Sequence, residues 1–361
     1  MKQRTLLMLS MADAATDRRA QNFKRFFENA RWEVELLAPT TSAKRGPRRF
    51  IEFDRKLRRE IAGRVADAVM ACDLFSLSSA ASMKRRGRAP LLIYDAREVY
   101  TELPGVARKP VAKWIWKRLE RRGLAATDFL LVTGPRDVQA ICDVHHFLPR
   151  PVLVRNLPWR DPNIPHEKDI LIQYDIPSEA KSLVYVGGLQ EGRGLEKLLR
   201  AIPTLSLEGI HLLLIGNGLL RSHLEAVVSE LGLASSVHFA GALPSEEALR
   251  IAAACDAGIC LIEPISRSYE LALPSKLFEY MMCGIPVVSS RLEQVTDLFE
   301  KEVWISFVDV NNPKSIRQGI ETALAHSRNA ALRERERSLA LTEFHFEHDA
   351  ESLFAVLDRL L

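Results

Sequence analysis

Short apolar runs alternate with helix-period stretches along the whole chain. The series is interrupted once, by Pro158-Trp-Arg-Asp-Pro-Asn-Ile-Pro165, with three prolines in eight residues. The strand-like runs before this break are Thr5–Ser10, Val34–Ala38, Asp73–Leu77, Leu91–Tyr94, Phe129–Thr133 and Val152–Arg155. Helical stretches lie between them, among them Arg18–Ala30, Asp54–Ala71 and Val111–Leu124. After the break come Ser182–Gly187, His211–Ile215, Val237–Ala240, Gly258–Leu261, Pro286–Ser289 and Trp304–Val308. Strands separated by helices pair in parallel, because only a long crossover returns the chain to the same edge, and a parallel sheet needs both faces covered. The expected fold class is α/β, with two doubly wound, Rossmann-like parallel-sheet domains. Each would bind ligands outside the carboxyl ends of its strands. The pattern sets domains at 1–160 and 161–335, followed by C-terminal helices at 336–361.

The 361 residues suit two such domains. With 47% hydrophobic and 27% charged residues, the composition is that of a globular chain and excludes wholesale disorder. No apolar run reaches transmembrane length. Met1–Ser10 reads as a first strand rather than a signal peptide. Five scattered cysteines (Cys72, Cys142, Cys255, Cys260, Cys283) suggest a reducing compartment, and Cys255/Cys260 lacks the second ligand pair of a zinc site. A cytoplasmic protein without a bound metal is expected.

The net charge of +4 conceals a division. Residues 1–165 hold 32 Lys/Arg against 18 Asp/Glu, and the remainder 18 against 28. A basic first half suits a polyanionic partner, either nucleic acid or an anionic membrane face; the plain alternative is a solvated basic surface. The charge concentrates at Lys44–Arg49, Arg55–Arg59, Met83–Arg88 and Arg108–Arg122. In the last of these, Trp114, Lys117, Arg118 and Arg121 fall together on a helix, with Ile115 and Leu119 on another face. Tryptophan beside basic residues suits a lipid headgroup interface, unless the tryptophans are core residues. No nucleic-acid-binding signature appears, so membrane is the preferred reading.

The densest chemistry follows Leu183. In Val-Tyr-Val-Gly187-Gly188-Leu-Gln-Glu-Gly192-Arg193-Gly194-Leu-Glu-Lys197, a buried strand runs into glycines and a helix opens near Gly194. Glycines let backbone approach a phosphate, a helix start offers N–H groups, and Arg193 can fork two phosphate oxygens. A plain tight turn explains the glycines equally well, since neither the G-x-G-x-x-G nor the P-loop pattern is met. Leu212-Leu-Leu-Ile-Gly216-Asn217-Gly218 ends a second strand in glycines at the same edge. In Leu273-Pro-Ser275-Lys276-Leu-Phe-Glu279-Tyr, Ser275 is placed to cap a helix. Lys276 and Glu279 then share one face of its first turn, suited to phosphate and ribose hydroxyls or, more plainly, to a solvated pair.

These motifs, with Val-His-Phe-Ala-Gly241 and Gly284-Ile-Pro286-Val-Val between and after them, resemble glycosyltransferase family 4, the retaining nucleotide-sugar enzymes of the GT-B fold. The form Pro-Ser-Lys-Leu-Phe-Glu-Tyr resembles the branch that lacks the first of the family's two glutamates. Thr16-Asp-Arg18-Arg, Tyr94-Asp95-Ala-Arg97-Glu98, Val154-Arg-Asn156-Leu-Pro and Phe344-His-Phe-Glu347 extend the resemblance to the first domain and the C-terminus. The resemblance implies that Arg193 and Lys276 hold the donor diphosphate as the catalytic cations. It implies that Glu279 binds the ribose and that Gly187, Gly188, Gly216, Asn217 and Ser275 complete the donor site. Arg18, Asp95, Arg97 and Glu98 become candidate acceptor or cleft residues, with a structural ion pair the alternative for Asp95 and Glu98. It further implies a UDP- or GDP-linked sugar donor with no cofactor or metal, and a cell-envelope glycan or lipid-linked acceptor at the cytoplasmic membrane face. The last helices would pack back on the first domain.

Three departures stand beside the resemblance. Leu271 occupies the first-glutamate position, with Glu270 one place off. Gly188 stands where an arginine is common, and Arg97 replaces a histidine and cannot act as a base. The rival readings are therefore a GT-B nucleotide-sugar epimerase and a non-catalytic nucleotide-sugar-binding scaffold at the membrane. His145 and His146 are expected to serve the dipole at a helix C-terminus.

Overall fold

The computed structural model describes residues 3–43, 46–204 and 209–357. Lys44 and Arg45 of the first basic cluster, and residues 358–361 of the expected C-terminal span, lie outside the described residues. The chain forms two compact units, Met1–Asn156 with Ser266–Leu271 and Phe346–Leu361, and Leu157–Ile265 with Ala272–His345.

The first unit is built on β1 (Thr5–Leu9), β2 (Glu33–Leu37), β3 (Ala68–Ala71), β4 (Leu91–Ala96), β5 (Phe129–Val132) and β6 (Arg150–Leu153). All its pairings are parallel, in the order β2-β1-β3-β4-β5-β6, so the winding reverses between β1 and β3. The expected strand at Asp73–Leu77 is instead the start of a helix, Leu74–Arg85, and the strand is Ala68–Ala71, which was assigned to the helix Asp54–Ala71. The Asp73 carboxylate decides this, accepting the Ser76 amide at 2.8 Å as an N-cap and the Met11 amide at 2.6 Å. Leu74, Leu77 and Ala81 then follow at helical spacing, all buried.

The helix Arg18–Asn29 buries Phe23 and Phe27, and Phe23 meets Phe346 edge-to-face at 5.0 Å. The helix Phe346–Leu357 thereby joins the first unit, and its Asp349 accepts from the Arg155 amide and guanidinium at 2.8 Å. The helix Ala330–Thr342 belongs to the second unit, where the following Phe344 stacks on Phe278 at 5.6 Å. The expected 336–361 segment is thus divided between units.

The helix Pro110–Leu124 turns Trp116 inward against Phe50 and Phe75 and seats Gly123 on Leu77. Trp114, at 62% exposure, faces outward with Val111, Ile115 and Leu119. The two tryptophans therefore have opposite fates, and Ile115 and Leu119 join the exposed face instead of leaving it. His145 ends its helix, but its ring turns inward. Its Nε2 lies 2.9 Å from the Glu120 carboxylate, which also accepts from the Tyr94 hydroxyl, so a buried side-chain hydrogen bond replaces the expected dipole role.

The second unit is built on β7 (Lys181–Val186), β8 (Ile210–Ile215), β9 (Val237–Gly241), β10 (Ala257–Cys260), β11 (Val287–Ser290) and β12 (Ile305–Val308). They are again all parallel, in the order β12-β11-β10-β7-β8-β9. The proline-rich segment is tied down in this unit: Arg160 donates to the Leu341 carbonyl and Arg337 to that of Pro162.

Candidate functional site

In the second sheet the winding reverses between β7 and β10, which share two register pairs, Ala257 with Leu183 and Gly258 with Val184, and then part. The gap is bridged by a side chain. The Tyr280 hydroxyl accepts from the Val186 amide at 3.0 Å and lies 3.3 Å from the carbonyls of Val184 and Ile259, each able to take its proton. A Cβ on Gly258 would overlap the Tyr280 ring, so glycine there is what admits it. Parting strands at a reversal of winding open the crevice where doubly wound sheets bind ligands.

The expected residues gather at this edge. Gly187 leaves β7 with φ +146° and Gly216 leaves β8 with φ +143°. A side chain on Gly216 would overlap the Gly187 carbonyl, and one on Gly218 would overlap that of Leu189. The two turns are stitched by Gly187 N–H to Ile215 O at 2.9 Å and Leu189 N–H to Asn217 O at 3.0 Å. The strict requirement for glycine at 216 and 218 is thus close backbone approach. Asn217 is exposed, and its side-chain oxygen accepts from Arg221 at 3.0 Å.

Lys276 is 8% exposed, and its Nζ lies 4.3 Å from the centroid of the Tyr185 ring; a Cβ on Gly187 would stand 3.2 Å from that Nζ. The Tyr185 hydroxyl in turn donates to the Gly188 carbonyl at 2.8 Å. The ammonium is thus buried against a ring face and beside a bare glycine, an environment in which a cation gains from a nearby anion. Ser275 does not cap the helix Ser275–Cys283. Pro274 occupies the cap position, its rigid extended backbone starting the turn, and Ser275 is the first helical residue. Glu279, one turn on from Lys276, is 5% exposed.

Arg193 lies on the loop between β7 and the helix Leu195–Ala201; with the Gln190 amide turned so that its oxygen faces the guanidinium, that oxygen accepts from Arg193 Nη2 at 3.0 Å. Burial pushes the Cys260 thiol at the end of β10 up to about 11, against the pull of Lys276 and Arg193. Both cations therefore act on the same strand end. Glu263 went unnoticed in the sequence. Its carboxylate accepts from the Gly194 amide at 3.3 Å and pairs with Lys197 at 2.5 Å, so part of the helix mouth is already engaged. Its place three residues past β10 was the available signal.

In the first unit Asp95 and Arg97 come together, while Arg18 and Glu98 are not part of their contact. Asp95 is fully buried, accepting from Arg19 Nε at 2.9 Å and Arg97 Nε at 2.9 Å, while Arg97 Nη1 reaches both Asp17 oxygens at 2.8 Å. Burial raises the Asp95 pKa, but the two guanidiniums outweigh it and hold the carboxyl below its ordinary value. Asp95 is the centre of a structural ion-pair network, the alternative the sequence left open. Arg19, missed beside Arg18, completes it, also donating to the carbonyls of Val154 and Arg155. Arg18 is half-buried, and Glu98 is exposed. Leu271 is buried in the first unit's core, and Glu270 pairs with Arg267.

Residues 167–338 match the family model of glycosyl transferases group 1. The chain is 27% identical over 172 residues to an uncharacterized glycosyltransferase of Methanocaldococcus jannaschii, covering 46% of this chain and 43% of that protein. It is 27% identical over 184 residues to the lipopolysaccharide core biosynthesis glycosyltransferase LpsE of Rhizobium meliloti, covering 51% of each. The chain thus spans about half the length of these two relatives. Among solved structures, sucrose-phosphate synthase of Thermosynechococcus elongatus superposes with a TM-score of 0.78 at 17% identity, covering 99% of both chains. HepE of Anabaena in complex with UDP-glucose gives 0.74 at 15%, covering 99% of this chain and 100% of that one. The group 1 glycosyl transferase pattern is carried by residues 167–338, and the chain as a whole has the α/β GT-B architecture of two doubly wound parallel sheets.

Proposed function

We propose that this chain is a retaining glycosyltransferase of the family 4 kind, moving a sugar from a UDP- or GDP-linked donor to a cell-envelope glycan or lipid-linked acceptor. The observation that carries the reading is Lys276, buried against Gly187 and Tyr185 at the reversal of the second sheet, within the segment matching group 1 glycosyl transferases. In this reading Lys276 and Arg193 take the charge that develops on the leaving diphosphate, the role preorganised cations fill in a low-dielectric site. Glu279 accepts from the ribose hydroxyls, the turn at Gly216–Asn217 faces the base, and Gly187, Gly188 and Ser275 admit the diphosphate. Catalysis is then mainly positioning, with no metal required. HepE, which shares the fold, was crystallised with UDP-glucose, and that supports the donor class.

The acceptor side is assigned to the basic first unit. The exposed face of the helix Pro110–Leu124, with Val111, Trp114, Ile115 and Leu119 beside Arg118, Arg121 and Arg122, is proposed to rest on an anionic membrane surface.

A thermal-shift panel of UDP, GDP, ADP, CMP and NAD, with and without chelator, tests the donor site. A nucleotide at ~100 times its Kd adds about 2.7 kcal/mol to the folded state. One nucleoside diphosphate is expected to shift melting regardless of chelator. A shift with NAD alone overturns the reading. Nucleotide binding without sugar transfer to any acceptor returns the scaffold, and interconversion of the donor sugar returns the epimerase.

A further inference from the structure

The helix Ser275–Cys283 has Lys276 at its start and Gly284 at its end, about 12 Å along the axis. A second concentration of positive charge lies at that far end. A pocket of about 390 Å³ opens there, lined by His166, Gly284, Arg328, Arg333, Glu334 and Arg337, among others. Arg333 Nε donates to the Gly284 carbonyl at 2.8 Å, and its Nη2 lies 3.0 Å from His166 Nδ1. Arg337 Nη1 lies 3.0 Å from His166 Nε2, and its Nη2 donates to the Pro162 carbonyl at 2.6 Å. His166 Nδ1 is also 2.8 Å from the Ala253 carbonyl. With Nδ1–H donating to the Ala253 carbonyl and Nε2 accepting from Arg337 the ring is a neutral imidazole, and Arg333 Nη2 then faces that N–H with no acceptor on the ring. Burial and the two guanidiniums hold its pKa below the ordinary value, against the Ala253 carbonyl.

Arg328, Arg333 and Arg337 meet no carboxylate within 4 Å among the described residues, although Glu334 lines the same pocket. Arg333 Nη1, Arg337 Nε and the whole Arg328 guanidinium find no hydrogen-bond partner there. Arg333 and Arg337 stand one turn apart on the helix Ala330–Thr342, where like charges oppose the helix. That helix has no acidic residue in its first turn, so its positive end adds to the field. Three gathered guanidiniums with donors to spare and a histidine kept from adding charge make a cationic pocket in which the arginines outnumber the one lining carboxylate, Glu334.

We propose that this pocket binds a small oxyanion of the phosphate class, at a site separate from the carboxyl-end crevice of the same sheet. Phosphate suits it better than a carboxylate, because three forked cations offer more donors than two oxygens can accept. The ligand is either a free phosphate species or the phosphate of a monoester.

The test is calorimetric titration of the full chain at low ionic strength with inorganic pyrophosphate, inorganic phosphate and glycerol phosphate. Arg328→Gln is the informative variant, since Arg328 has no hydrogen-bond or ion-pair partner to lose among the described residues, and an unchanged Tm verifies its fold. It is expected to weaken the binding step at least tenfold, while Arg193→Ala leaves that step intact. Affinity unchanged in Arg328→Gln, loss confined to Arg193→Ala, or no binding of any probe at millimolar concentration overturns the proposal. Tighter binding of the monoester than of both inorganic anions identifies an esterified ligand, and the reverse a free one. Because Arg193→Ala reports only on the donor site, the two sites stand or fall separately.

Discussion

At the scale of single residues, the second unit's chemistry depends on a few side chains that backbone geometry forces together. Gly187 is glycine because its backbone sits at φ +146°, with Lys276 Nζ close by, and Gly216 and Gly218 because neighbouring carbonyls fill the space of a side chain. Arg193→Ala is expected to weaken nucleoside diphosphate binding by roughly 2–4 kcal/mol, the loss of charge-assisted hydrogen bonds to phosphate. Titration calorimetry with the nucleotide identified by thermal shift checks it, and an unchanged Kd removes Arg193 from the site. The turns that end β7 and β8 were legible because an apolar run that passes into glycines marks where a strand stops. Glu263 and Arg19 were not, because their roles depend on partners 69 and 76 positions away. Ser275 was misread because Ser is a common helix cap, whereas Pro274, one residue earlier, already sets the turn.

At the scale of elements, the alternation of strands and helices was readable except where a capping carboxylate redrew a boundary. Asp73 begins a helix in what reads as an apolar run, and the four-residue β3 hides inside an expected helix because two of its four residues are alanine. The helix Ala330–Thr342 carries a more consequential element-level feature. Glu336 is fully buried, neither carboxylate oxygen has a hydrogen-bond partner among the described residues, and burial raises its pKa well above 4.5 despite Arg333. The folded state therefore holds a proton that the unfolded chain releases above pH ~4.5. Stability from this group is full below that pH and falls by up to about 1.4 kcal/mol per pH unit as pH rises toward the folded pKa. Glu336→Met removes the dependence, so its gain in Tm over the parent is expected to be larger at pH 8 than at pH 5. Differential scanning calorimetry at the two values decides it; an equal gain, or a loss at pH 8, means that the carboxyl is ionised or partnered in the folded protein.

At the scale of the whole molecule, the charge is divided as unevenly along the chain as the chemistry. Residues 1–165 carry a net +14 and the rest −10, while the residues assigned to the donor lie in the acidic part. A donor site needs a few buried cations, whereas a broad basic surface serves long-range attraction to an extended anionic partner. The sequence made this division legible but not the surface that uses it, because Trp114 and Trp116 differ only in which side of one helix meets Phe50 and Phe75. With Trp114 exposed beside Arg118, Arg121 and Arg122, that helix joins an apolar edge to three cations. Each basic residue close to an anionic leaflet contributes about 1 kcal/mol, so replacing all three arginines by Gln should weaken binding to phosphatidylserine-containing vesicles roughly hundredfold. The parent's binding should fall steeply between 50 and 300 mM salt, values spanning a Debye length of roughly 14 to 6 Å. Trp114→Ala, by contrast, is expected to weaken binding without changing the salt dependence, because it removes insertion and no charge. Vesicle co-sedimentation separates the two effects. Equal binding of the parent to neutral and anionic vesicles would remove this face from the membrane and leave the basic first half to a different polyanion.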